Sequence, residues 1–416
     1  MLHPIQIGAY VLAAILGNLW WLRRWRVPVG RPRPAGERRL LWLLAIAALV
    51  ALALAGWAMG AYRSEDGFLA VLLFLPVQVL FSARVFFRYN RQLGRPVGWR
   101  RLVIGNTLVL LLPLTLALAG GELWFRFCHD TTDSIGYTKV ARRWLQRHYV
   151  RNQWKLRDNV EYALAIAPGK RRVSFVGDSF TAGHGIEDVE QRFANRVRRM
   201  HPDWEVHVLA DNGKDTAAEV DGLMALVANG YAVDEVVLVY CLNDIQDLVS
   251  GWKGTADAVA KKAAQRWAAL DDSYLLDMVY FRVAIADVPG IANYFEFVSE
   301  AYRGAVWEEQ QKRLRALRDV VTQHGGRLSV VTWPFLHALG KEYLHEASHA
   351  QLAGFWHEEG VAHLDLLPVL RGHASAELTV NAFDAHPNEF ASEIAANAID
   401  AWLLGVVAKP KSRGGK

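Results

Sequence analysis

The chain has 416 residues, a formal charge of +5 and a hydrophobic share of 52%. That length leaves room for a large domain plus a second region, and its two cysteines are too few for a disulfide framework. The charge is uneven: residues 1–124 hold 14 basic and 4 acidic side chains, the remainder 33 and 38. The part beyond 124 is therefore mildly acidic and lacks the basic face that a nucleic-acid partner requires.

In chain order, four apolar stretches come first, at 4–22, 40–62, 67–87 and 102–125. At about 1.5 Å per residue, each is long enough to cross a hydrocarbon core. The opening "MLHPIQIGAY" has no basic start of the kind a signal peptide carries. Segment 23–39 has seven arginines against one glutamate, segment 88–101 has five arginines and no acid, and the link "RSED" (63–66) is short and slightly acidic. The positive-inside asymmetry predicts both arginine segments on the cytoplasmic side. It places the amino terminus and everything after 125 outside.

A helical and irregular lead-in is predicted over 126–170, then apolar runs alternating with amphipathic stretches. Strands are predicted at 172–178, 205–211, 235–244, 327–335 and 361–366. Helices are predicted at 187–200, 215–230, 305–324, 340–360 and 388–407, with a helical insertion at 251–304 and a basic tail at 408–416. Near-continuous apolar strands separated by helices indicate a parallel sheet covered on both faces. Cys128 and Cys241 are read as free thiols.

In such a sheet, ligands gather outside the carboxyl ends of the strands. "GDS" follows the first strand, "DNGKDT" the second and "CLND" the third, while "FDAHPNEF" precedes the last helix. Acyl chemistry needs a hydroxyl nucleophile, a base, a group that orients the base, and donors for the oxyanion. Ser179 supplies the hydroxyl, His386 the base and Asp384 the orienting carboxylate. The backbone N–H groups of Ser179 and Gly213 and the Asn243 amide supply the donors. Asp178 and Asp244, beside Ser179 and Asn243, are read as supporting residues. His184, five residues beyond Ser179 in the same loop, is read as a bystander. This chemistry calls for no cofactor and no metal.

Over roughly 151–407 the chain resembles the SGNH or GDSL hydrolases. "RRVSFVGDSFTAGHGI" is similar to the nucleophile block of envelope-associated bacterial members, "DNGKDTAAE" to the glycine block, "YCLNDI" to the asparagine block and "DAHPNEFASEIAANAI" to the histidine block. The resemblance implies that Ser179, Gly213, Asn243 and His386 are the family's functional residues here, with Asp384 as the triad acid. It also implies a flavodoxin-like three-layer α/β/α fold, so that 171–407 is a hydrolase-like catalytic domain behind a four-helix transmembrane region at 1–125. The third block begins with Cys241, where the family usually has glycine.

A competing pattern is "HEASH" (345–349), which matches the helical H-E-x-x-H zinc motif. Its extended form needs glycine at 352 and histidine at 355, where the sequence has Leu352 and Phe355. The segment is read as a solvated helix face. Together these features predict a multi-pass protein of the bacterial cytoplasmic membrane with its catalytic domain in the periplasm. The expected activity is that of a serine esterase on acyl, foremost O-acetyl, esters of envelope glycans or lipid-linked substrates. The alternatives are an O-acyltransferase using the same triad, a degenerate binding module and a zinc metallopeptidase through residues 345–349. Four spans, more than anchoring requires, point to a membrane acyltransferase as partner.

Overall fold

The computed structural model describes residues 65–93, 98–264, 268–286, 288, 291, 294–340 and 342–408. The spans predicted at 4–22 and 40–62, the arginine segment between them and the tail beyond 408 lie outside the described residues. The described chain forms two compact units: 65–129 with 268–280, and 130–264 with the residues from Phe281 onward.

In the first unit, helices Glu65–Leu93 and Trp99–Leu123 pack along one another. Gly67–Arg88 and Trp99–Cys128 are long and apolar enough to cross a membrane, at the positions where the sequence predicts the third and fourth spans. Leu110 is 70% exposed and Phe127 62%. Water disfavours such a continuous apolar face, whereas a hydrocarbon layer does not. Buried Glu122 closes the start of helix Tyr274–Ala286 within this unit. Its carboxylate accepts from the Tyr274 and Leu275 N–H groups (3.1 and 3.0 Å) and the Ser273 hydroxyl (2.7 Å), and pairs with Arg126 (2.7 Å). The first N–H groups of a helix have no partner inside it, and an acidic group there meets both their hydrogen bonds and their dipole.

The second unit is built on a five-stranded sheet. Its strands are β1 (Arg171–Gly177), β2 (Trp204–Ala210), β3 (Glu235–Cys241), β4 (Arg327–Trp333) and β5 (Ala362–Asp365). All pair in parallel in the order β2-β1-β3-β4-β5. β3 is buried along its whole length, as expected of a strand covered on both faces. The chain steps from β1 to β2, then returns past β1 to β3. With right-handed crossovers, that reversal sends the connecting helices to opposite faces. Phe193–Met200 packs with Glu389–Val407, and Thr216–Ala228 with Gly304–Gln323. This is the flavodoxin-like order, whose switch point lies between β1 and β3.

Three details differ from the sequence reading. β3 stops at Cys241 instead of continuing to 244, because the Asp244 carboxylate turns back to accept from the Cys241 N–H (2.9 Å) and opens the tight helix Leu242–Leu248. The first covering helix starts at Phe193, after a separate short turn at Val189–Gln191. An unpredicted antiparallel hairpin, β6 (Thr379–Asn381) with β7 (Asp384–Pro387), precedes the last helix. The last helix lies where it was predicted: Glu389–Val407 is long and apolar enough to cross a membrane, yet Ala395, Ala396, Ile399 and Leu403 are buried in the core of this unit. Cys128 and Cys241 are free thiols.

Candidate active site

Gly177 of β1 pairs with Ala210 of β2 and with Val239 of β3, so the segments leaving these three strands emerge at one edge of the sheet. A Cβ on Gly177 would lie 2.2 Å from Thr181 Oγ1 and 2.9 Å from the Val239 carbonyl oxygen. Only glycine lets the chain fold so tightly into the turn Ser179–Ala182. Asp178 caps that turn, accepting from the Phe180 N–H at 2.9 Å.

β7 carries Asp384 and His386 two positions apart, and alternate residues of a strand share a face. The Asp384 carboxylate consequently meets His386 Nδ1 at 2.5 Å, while His386 Nε2 lies 2.8 Å from Ser179 Oγ. Burial alone would lower the His386 pKa, but the charge and hydrogen bond of Asp384 outweigh it and the pKa is raised. Burial likewise opposes ionisation of Asp384, yet His386, His184 and the Thr132 hydroxyl hold it well below the usual carboxylate range. Ser179 and His386 keep 9% and 8% of their surfaces exposed, whereas Asp384 keeps 1%.

Gly213 lies in the loop after β2 with φ +74°, a left-handed conformation that glycine adopts without strain. Asn243 follows β3, and its side-chain amide lies near the carboxyl of Asp178 and favours the ionised form of that carboxyl. Asn243 Oδ1 has no hydrogen-bond partner among the described residues. Asp178, Glu219 and Asp244 are fully buried behind this edge. Burial, reinforced by their mutual repulsion, raises the pKa of Glu219 and Asp244 well above the ordinary range. Asp244 thus supports the turn at Cys241.

His184 is no bystander in space. Its ring centroid lies 4.5 Å from that of His386, and its Nε2 is 3.6 Å from Asp384 Oδ2. The turn bearing it is held by Arg157, which is fully buried and donates to the carbonyl oxygens of Ala182 (3.2 Å), His148 (3.2 Å), Gly183 and Ile186. Thr132, Asp133, Tyr149 and Arg157, all within the predicted lead-in, therefore surround the candidate site. A single sequence offers no signal for this, because none of them sits in a motif. His184, Asp384 and His386 bring ligand-type atoms within 4.8 Å of one another. His386 Nδ1 is bonded to Asp384 and His184 Nε2 to the Asp133 carbonyl (3.1 Å), so these donors are engaged in a hydrogen-bond relay.

The histidines of the "HEASH" segment do not lie on a solvated face, although Glu346 does. His345 and His349 are buried. His345 Nδ1 meets Ser299 Oγ at 2.7 Å, His349 Nδ1 meets Asp365 at 2.9 Å, and His349 Nε2 meets the Tyr343 hydroxyl at 3.1 Å. These bonds tie helix Glu346–Glu358 to its surroundings.

No protein-family model matches the chain, and no curated protein matches it significantly. Several solved structures do. The crystal structure of TesA is 17% identical, with a TM-score of 0.36, covering 57% of this chain and 99% of its own. An extracellular lipase from Streptomyces rimosus is 15% identical (TM-score 0.35; 56% and 99% covered). A member of the lipolytic G-D-S-L family from Veillonella parvula is 12% identical (TM-score 0.35; 58% and 100% covered). These solved structures include an extracellular lipase and a member of the lipolytic G-D-S-L family.

Proposed function

We propose that the protein is a serine ester hydrolase working through an acyl-serine intermediate. The observation that carries this reading is the unbroken relay Ser179–His386–Asp384, with contacts of 2.8 and 2.5 Å, at the switch point of a parallel sheet. His386 Nε2 takes the Ser179 proton as Oγ attacks an ester carbonyl, and Asp384 stabilises the resulting imidazolium. The N–H groups of Ser179 and Gly213 and the Asn243 amide receive the oxyanion. Collapse returns the proton to the departing alcohol, and water then releases the acid by the same steps. The positive-inside pattern supports a location of this domain on the outer side of a cytoplasmic membrane, where O-acetylated envelope glycans are the first candidate substrates. The test is turnover of p-nitrophenyl acetate by the detergent-purified full chain and its Ser179→Ala variant. The reading requires loss of turnover together with loss of fluorophosphonate labelling, and full activity in that variant would overturn it.

A further inference from the structure

His184 connects three parts of the candidate site. Its backbone N–H donates to the Ser179 carbonyl oxygen at 3.0 Å, and its ring packs beside His386. Its two nitrogens have different partners. Nε2 faces the carbonyl oxygen of Asp133 at 3.1 Å, and a carbonyl can only accept, so Nε2 carries the proton. In a neutral ring Nδ1 must then be the acceptor. It faces Asn212 Nδ2 at 2.9 Å, an amide that can only donate. At the other end of that amide, Asn212 Oδ1 lies 3.1 Å from the Tyr149 hydroxyl, whose single proton is shared with Asp211 at 2.9 Å. Ring tautomer and amide orientation therefore fix one another, and the next residue in the chain is Gly213.

We propose that His184 is a positioning residue, a neutral imidazole that holds the Asn212–Gly213 loop so that the Gly213 N–H stands ready for the oxyanion. This rests on the serine-esterase reading given above. A charged ring would present a proton to the Asn212 NH2 group and push the loop away. Burial, together with the charge of His386, lowers the His184 pKa to about 4 and keeps the ring neutral. A preorganised donor costs no rearrangement at the moment of reaction, and losing one outright slows acyl transfer by about 10²–10³-fold. Loosening the loop should have a smaller effect.

The test uses the full-length protein with p-nitrophenyl acetate. His184→Phe keeps the ring volume and removes both bonds, and it should lower kcat about 10–100-fold with KM nearly unchanged. His184→Gln restores an acceptor and a donor and should recover most of that loss. Asn212→Ala should match His184→Phe, and the double variant should be no slower than either single one. Native kcat in His184→Phe, or losses that multiply in the double variant, would overturn the proposal. If His184→Phe does not fold, native kcat in Asn212→Ala would overturn it alone. Ser179→Ala in the same assay separates the two claims. Retained activity there sinks the nucleophile reading, whereas a dead Ser179→Ala beside a native His184→Phe sinks only the positioning role.

Discussion

Among the described residues, the same chain of groups occurs twice. Asp384, His386 and the Ser179 hydroxyl are joined at 2.5 and 2.8 Å, and Asp365, His349 and the Tyr343 hydroxyl at 2.9 and 3.1 Å. Both lie within one unit, and both hydroxyl-bearing residues are buried. The difference lies around the hydroxyl. Tyr343 also accepts from the Phe335 N–H at 3.0 Å, and burial raises its phenol pKa above the ordinary range, so it is a fastening point between segments. Ser179 sits on a tight turn at a strand end, on the edge where the Gly213 and Asn243 segments also emerge. Beyond His386, Ser179 Oγ has only a long contact to Asp178 Oδ2 at 3.4 Å among the described residues. A carboxylate–imidazole–hydroxyl series is therefore insufficient for acyl chemistry, which also needs a loosely held hydroxyl and oxyanion donors.

That contrast can be broken at several points. Ser179→Ala should lower kcat by about 10⁴-fold or more with no change in melting temperature, measured with p-nitrophenyl acetate and by calorimetry. Asp384→Asn should cost about 10³–10⁴-fold in kcat. It should also move the pH profile. The base must be neutral, and its pKa is raised above about 6.5, so kcat/KM should fall as pH drops through a value above that. Removing the Asp384 charge should shift this limb downward. Asn243→Ala should lower kcat about 10²–10³-fold while the acid limb stays in place. The smallest effect on turnover belongs to the second series. His349→Phe should leave kcat within about twofold of native, yet lower the unfolding free energy by about 2–4 kcal/mol in denaturant titration, because Asp365 and Tyr343 lose a buried partner.

The central sheet, two of its polar ends and the polar segment before the last helix were legible in the residues. The apolar runs of β1 to β4 are long enough to show, and "GDS", "DNG" and "DAH" each combine a small residue with a polar one at a strand or helix boundary. What escaped was short or distant. The β6–β7 hairpin has strands of three and four residues, too few for a periodic pattern. Thr132 reaches Asp384 across 252 positions, and nothing local to either residue records that contact. The "HEASH" helix misled because its histidines and glutamate read as surface. Glu346 is indeed exposed, but the burial of His345 and His349 depends on Ser299, Tyr343 and Asp365, which lie outside the helix.

Arg157 gives the turn after the nucleophile a distinctive kind of anchor. Every partner named for its guanidinium is a backbone carbonyl, and none of these gains or loses a proton. Burial and the neighbouring Arg192 bring its own pKa down only to about 10, so it stays charged wherever His386 titrates. Scaffold and switch are chemically separate: acidification can discharge the relay without slackening the turn that presents Ser179. The acid limb of the rate profile should then follow a single proton on His386, and it should reverse fully when the pH is restored.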